Sequence, residues 1–113
     1  MKLITAIIRP EILPDVKAAL MAKDVGKMTV SNVIGCGQQH GYEETYRGIK
    51  HEIKLIKKVR LDIVVSEPYL KITIDTIIET AQTGNIGDGK IWVSSVENCI
   101  RIRTGESGKI AIG

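Results

Sequence analysis

Thr83-Gly84-Asn85-Ile86-Gly87-Asp88-Gly89-Lys90 is the stretch of this chain best suited to hold an anion. Gly87 and Gly89 have no Cβ, so backbone amides around Asp88 can approach a ligand closely, and Lys90 adds a point charge. Such a loop suits phosphate. It is not a Walker loop, because the Gly and Lys spacing differs and no helix follows. A plain Asp-Gly turn would carry the same residues. A second cationic feature is Ile100-Arg101-Ile102-Arg103. Read as a strand, it puts Ile100 and Ile102 in the core and both arginines on the other face, about 7 Å apart. Two adjacent guanidiniums ask for an anion, and a polyphosphate fits. Surface bridges to Glu97 or Glu106 are the alternative. In Gly35-Cys36-Gly37-Gln38-Gln39, two glycines flank one residue. That suits close approach of a flat ligand or another backbone, or a hinge for the segment beyond.

Other chemistries find less support. His40 and His51 fall in the same loop-like stretch, and Cys36 has no fixed His partner, so no nucleophile with a general base is evident. Two Cys and two scattered His lack metal-ligand spacing. The net charge of +3, with no Phe, one Trp and three Tyr, fits neither a DNA binder nor a base-stacking platform. Cys36 and Cys99 read as buried, reduced thiols of a cytoplasmic protein, with no signal peptide ahead of the Met1-Lys2-Leu3-Ile4 start.

These residues must be placed by a single domain spanning 1–113. Its core is small, so a sizeable ligand site is expected between subunits. Residues 2–9 read as a buried strand stopped by Pro10. Pro14 suits the first turn of a helix with Val16, Ala19, Leu20 and Lys23 on one face. Residues 28–35 are β-branched and read as a strand. In 59–65, Val59, Leu61, Ile63 and Val65 share one strand face and Arg60 and Asp62 the other. For 66–81, Ile and Thr favour a strand by propensity. Ser66 as a cap, Glu67-Pro68 in a first turn, and the spacing of Ile74, Ile77, Ile78 and Ala81 favour a helix, which is the assignment made. Strands at 90–96 and 100–103 follow, and 104–113 reads as a flexible tail. The order β-α-β-β-α-β is α+β and ferredoxin-like, a four-stranded antiparallel sheet covered by two helices, with a short extra C-terminal strand. Residues 37–57 are too long for an ordinary hairpin loop and read as a mobile recognition arm.

The chain resembles the PII nitrogen-regulatory signal-transduction family over nearly its whole length. The resemblance rests on AIIRP at the start, Met28-Thr29-Val30-Ser31, and Gly35-x-Gly37-x-Gln39-x-Gly41. It continues in Tyr46-Arg47-Gly48, Lys58 with its strand, Thr80-Ala81-Gln82-Thr83-Gly84, Gly87-Asp88-Gly89-Lys90-Ile91, and Arg101-Ile102-Arg103-Thr104-Gly105-Glu106.

That resemblance implies a non-enzymatic homotrimer with nucleotide sites in the clefts between subunits. ATP or ADP would lie against Thr29, Gly35, Gly37, Gln38, Val64, Gly87, Asp88, Gly89, Lys90, Arg101 and Arg103. With Mg-ATP, 2-oxoglutarate would bind through Gln39, Gly41 and Lys58, Gln39 giving an oxygen to Mg2+ and Lys58 pairing with a carboxylate. Tyr46, Arg47 and Gly48 would meet the partner, an ammonium transporter in some relatives; nitrogenase and glutamine synthetase are alternatives. Membrane association would come only through such a channel, and nucleic acid is not an expected partner. The chain departs from the family at His51 and Ile49, where relatives are modified, so no modification is expected. Gln38 replaces an arginine common near the phosphates.

Overall fold

The computed structural model describes residues 1–36 and 55–113. The chain runs β1 (Lys2–Ile8), a 3-10 turn at Pro10–Ile12, α1 (Leu13–Met21), β2 (Thr29–Cys36), β3 (Leu55–Val65), α2 (Glu67–Ala81), β4 (Lys90–Ser95) and α3 (Lys109–Ile112). The four strands form one sheet in the order β2-β3-β1-β4. Every neighbouring pair is antiparallel. This is the ferredoxin-like arrangement expected from the pattern.

Alternation along the strands decides which face is covered. Ile4, Ala6 and Ile8 of β1 and Val59, Leu61, Ile63 and Val65 of β3 are buried. They meet Val16 and Leu20 of α1 and Ile77 and Ala81 of α2 in one apolar cluster. Burying these branched side chains stabilises the fold by roughly 1.5–3 kcal/mol each.

In α2 the helical spacing wins over the strand propensity of its threonines, and the hydroxyls show why. Thr73 and Thr76 are buried. Thr73 Oγ1 donates to the Tyr69 carbonyl at 2.7 Å, and Thr76 Oγ1 to the Ile72 carbonyl at 2.6 Å. Back-bonding to i−4 satisfies a polar group that would otherwise be costly to bury. Ser66 stands at the N-cap in extended conformation, but its side chain makes no capping bond. Ile78, expected on the buried face, is exposed, and the threonines take that place.

The opposite sheet face carries polar and aromatic side chains. Thr5 is fully buried there and donates to Asp62 at 2.8 Å. Arg60 donates to Asp62 at 3.0 Å and lies 6.0 Å from the Trp92 ring centroid. The Arg60 bond, followed by that from Thr5, outweighs desolvation and holds the Asp62 carboxyl below its usual range.

Several boundaries and assignments differ from the sequence expectation. β3 starts at Leu55, so residues 55–57, expected in the long arm, pair with β2 instead. At 100–103 the extra strand is reduced to a single bridge between Ile100 and Ser107, followed by a turn. Gly105 and Gly108 there adopt φ of 74° and 83°, which lets the chain reverse. Ile100 and Ile102 are therefore exposed rather than in the core, Ile102 wholly so. Residues 109–112, expected as tail, form α3. Cys36, expected buried, is exposed, and Cys99 is half-buried.

Candidate functional site

The glycine loop between α2 and β4 is held in shape by its own side chains and by two cations from other strands. Asp88 organises it. Its carboxylate accepts the Thr83 N–H at 2.8 Å, the Gly84 N–H at 2.9 Å, the Thr83 hydroxyl, and the Arg9 guanidinium. The Thr83 hydroxyl bond and then the Arg9 bond are the main reasons the Asp88 carboxyl titrates well below the ordinary carboxylate range. Asp88 is therefore an anion throughout the neutral range.

Arg9 ties the loop to the end of β1. Besides Asp88 it donates to the Ile86 carbonyl at 3.0 Å and to the Thr83 hydroxyl at 3.3 Å. Pro10 follows it and favours the extended backbone that Arg9 adopts, with φ −67° and ψ 140°. Lys58 reaches the loop from β3, its Nζ donating to the Gly87 carbonyl at 2.7 Å. Gly87 and Gly89 have φ of 107° and 99°, backbone conformations that L side chains rarely adopt. Gly89 is also closed to any side chain, since a Cβ there would fall 1.7 Å from the Ile7 carbonyl oxygen.

The arrangement presents the cations Lys58, Lys90 and Arg9 around glycine backbone that allows close approach. Its Thr83 hydroxyl is bound to the Asp88 carboxylate, which also holds two loop amides and Arg9, so that pair shapes the loop. It can bind and orient an anion.

The other expected site residues are distributed as follows. Gly35 on β2 neighbours Lys58, with the Lys58 Cγ 3.8 Å from where a Cβ would stand. Thr29 opens β2 opposite Asp62 and is exposed. Val64 lines a separate cleft of about 380 Å³ with Gly26, Lys27, Tyr69 and Lys109. Arg101 and Arg103 are not joined to the loop within one chain. Arg101 donates to Glu106 at 3.1 Å and to the Ile110 carbonyl at 2.6 Å, so the surface bridge weighed from sequence forms at this residue. Arg103 is exposed. Gly37, Gln38, Gln39, Gly41, Tyr46, Arg47, Gly48, Ile49 and His51 lie outside the described residues.

Sequence reasoning gave no role to Arg9 or to the Thr83 side chain. The Arg-Pro step marked the end of a strand and part of a family-like stretch, with no role for the Arg9 side chain. Its partner is 79 positions away in sequence, and only the return of β4 beside β1 brings them together.

A family model described as Nitrogen regulatory protein P-II matches residues 1–106. The Nitrogen regulatory protein P-II 2 of Methanothermobacter thermautotrophicus is 51% identical over 112 residues, covering 99% of this chain and 97% of that protein. The Nitrogen regulatory protein P-II 1 of Escherichia coli strain K12 is 49% identical over 112 residues, covering 99% of this chain and all of its own length. The Nitrogen regulatory protein P-II of Klebsiella oxytoca is 49% identical over the same number of residues.

Proposed function

This chain belongs to the nitrogen regulatory protein P-II family, and on that premise we propose that it senses nitrogen and energy status by binding ATP or ADP. The observation that carries this reading is the loop at 83–90. Gly87 and Gly89 hold φ of 107° and 99°, with Lys58 bound to the Gly87 carbonyl and Lys90 next in sequence. The protein acts as a regulator and not as an enzyme.

The nucleotide lies in a cleft between subunits of a homotrimer. Its phosphates rest on Gly87, Asp88, Gly89 and Lys90 of one subunit and on Arg101 and Arg103 of a neighbour. The separation of those arginines from the loop within one chain supports a site shared across an interface. Thr29, Gly35, Gly37, Gln38 and Val64 surround the rest of the nucleotide.

2-Oxoglutarate joins Mg-ATP through Gln39, Gly41 and Lys58. Mg2+ prefers oxygen ligands and keeps phosphate oxygens in its shell, which suits the Gln39 amide oxygen and a keto acid. Lys58 already spends its ammonium on the Gly87 carbonyl and could turn to a carboxylate. The segment between β2 and β3, with Tyr46, Arg47 and Gly48, carries the state of the site to a target, for which we name an ammonium transporter. Nitrogenase or glutamine synthetase is the alternative, and the basic run after His51 favours nitrogenase of the two.

Calorimetric titration tests this. ATP and ADP should each bind, and 2-oxoglutarate should bind only with Mg-ATP present. Uptake of 2-oxoglutarate by the nucleotide-free protein refutes the shared shell.

A further inference from the structure

An anionic side chain sits in the middle of a loop read as a phosphate cradle. Asp88 is ionised at neutral pH, and a carboxylate a few ångströms from a polyphosphate repels it. The repulsion is larger for a triphosphate than for a diphosphate. Some cation must cancel that charge without occupying the space of the ligand.

Arg9 meets this need. Its guanidinium pairs with Asp88, and its other amino group is held by the Ile86 carbonyl at 3.0 Å. The pair is partly shielded, each side chain about 23% exposed. Arg9 is thus committed to the loop's interior side, while Lys58 and Lys90 supply cations at its flanks. The guanidinium fork also fixes where the loop turns, since it grips Thr83, Ile86 and Asp88 at once. A lysine could cancel the charge but lacks the two-nitrogen fork that reaches Asp88 and the Ile86 carbonyl from separate atoms.

We propose that Arg9 is a positioning residue for nucleotide binding, which neutralises Asp88 and locks the 83–89 backbone in its anion-receptive shape without touching the phosphates. The proposal rests on the nucleotide reading above. It separates two roles inside one loop, in which the backbone faces the ligand and the Asp88 carboxylate faces inward to Arg9.

The test is calorimetry with Mg-ATP and Mg-ADP on the full chain and three variants, with thermal midpoints recorded for each. Arg9→Gln exposes the Asp88 charge and should weaken ATP by about tenfold or more, the scale of a lost charged contact. The loss should be smaller for ADP and should shrink at high salt. Arg9→Gln combined with Asp88→Asn removes both charges and should recover part of the ATP affinity, the share lost to the bare carboxylate. Arg9→Lys should fall between wild type and Arg9→Gln, and it carries the test if Arg9→Gln does not fold. Wild-type ATP affinity in Arg9→Gln overturns the proposal. So does a double variant as weak as Arg9→Gln, because relief of the Asp88 charge then changes nothing. If the wild-type chain binds neither nucleotide, the parent reading fails and this one falls with it. If the wild type binds and the variants do not follow this order, only the Arg9 role fails.

Discussion

Asp88 accepts four hydrogen bonds on two oxygens, and its effect on stability follows from that count. Its folded-state pKa lies below the ordinary value of 3.8. The group therefore contributes stability that is fully present above 3.8 and is lost as pH falls through the depressed folded value. Thermal midpoints of wild type should drop more steeply below pH 3.8 than those of Asp88→Asn, whose amide does not titrate. Equal acid slopes would show that the carboxylate is not so held. Gly89 supports a second residue-level prediction. Gly89→Ala places a methyl on the Ile7 carbonyl and forces an alanine into φ of 99°. Such strain costs about 1–3 kcal/mol before any steric clash, and the thermal midpoint should fall accordingly. The glycines and Lys90 were legible in the sequence because backbone freedom and charge are properties of residue type. The role of Arg9 was not, because an ion pair across 79 positions depends on strand order.

At the scale of elements, β3 and α2 were the most legible. Val59, Leu61, Ile63 and Val65 alternate without a break, and all four are buried as that pattern requires. In α2 the position of Ile77 was readable from its spacing, while Thr73 and Thr76 on the buried face were not. Threonine looks polar until its hydroxyl finds a carbonyl one turn back. Ile77→Ala should cost about 2–5 kcal/mol in chemical denaturation, as expected for a fully packed isoleucine. A cost below 1 kcal/mol would mean the α2–sheet seam can collapse around the gap. The segment 100–103 misled for a physical reason. Ile-Arg-Ile-Arg alternates like a strand, but the segment folds back on itself through the Ile100–Ser107 bridge instead of joining the sheet. Asn98 Oδ1 accepts the Cys99 and Gly108 amides at 2.9 and 3.2 Å, and Arg101 N–H donates to the Glu106 carbonyl at 2.8 Å. A tight reversal therefore replaces the strand.

For the whole molecule, α1 and α2 pack on one sheet face, and among the described residues the other face carries Arg60, Asp62 and Trp92. β4 is an edge strand with Trp92 and Val93 exposed. Both features suit association, and we expect sedimentation to give a particle of three times the 12.4 kDa chain mass. A monomer would remove the shared cleft and with it the site. If Arg101 and Arg103 of a neighbour complete that cleft, Arg101→Ala with Arg103→Ala should weaken ATP by several kcal/mol, at ~1.5–3 kcal/mol per charged hydrogen bond. An unchanged dissociation constant would exclude both. The seat of Gly89 on the Ile7 carbonyl has one more effect. Ile7 belongs to β1, an inner strand bonded to neighbours on both sides. An anion resting on the rim thus leans on the spine of the domain. Amide deuterium uptake should slow along β1 when nucleotide is added, so that occupancy is felt as rigidity at the centre.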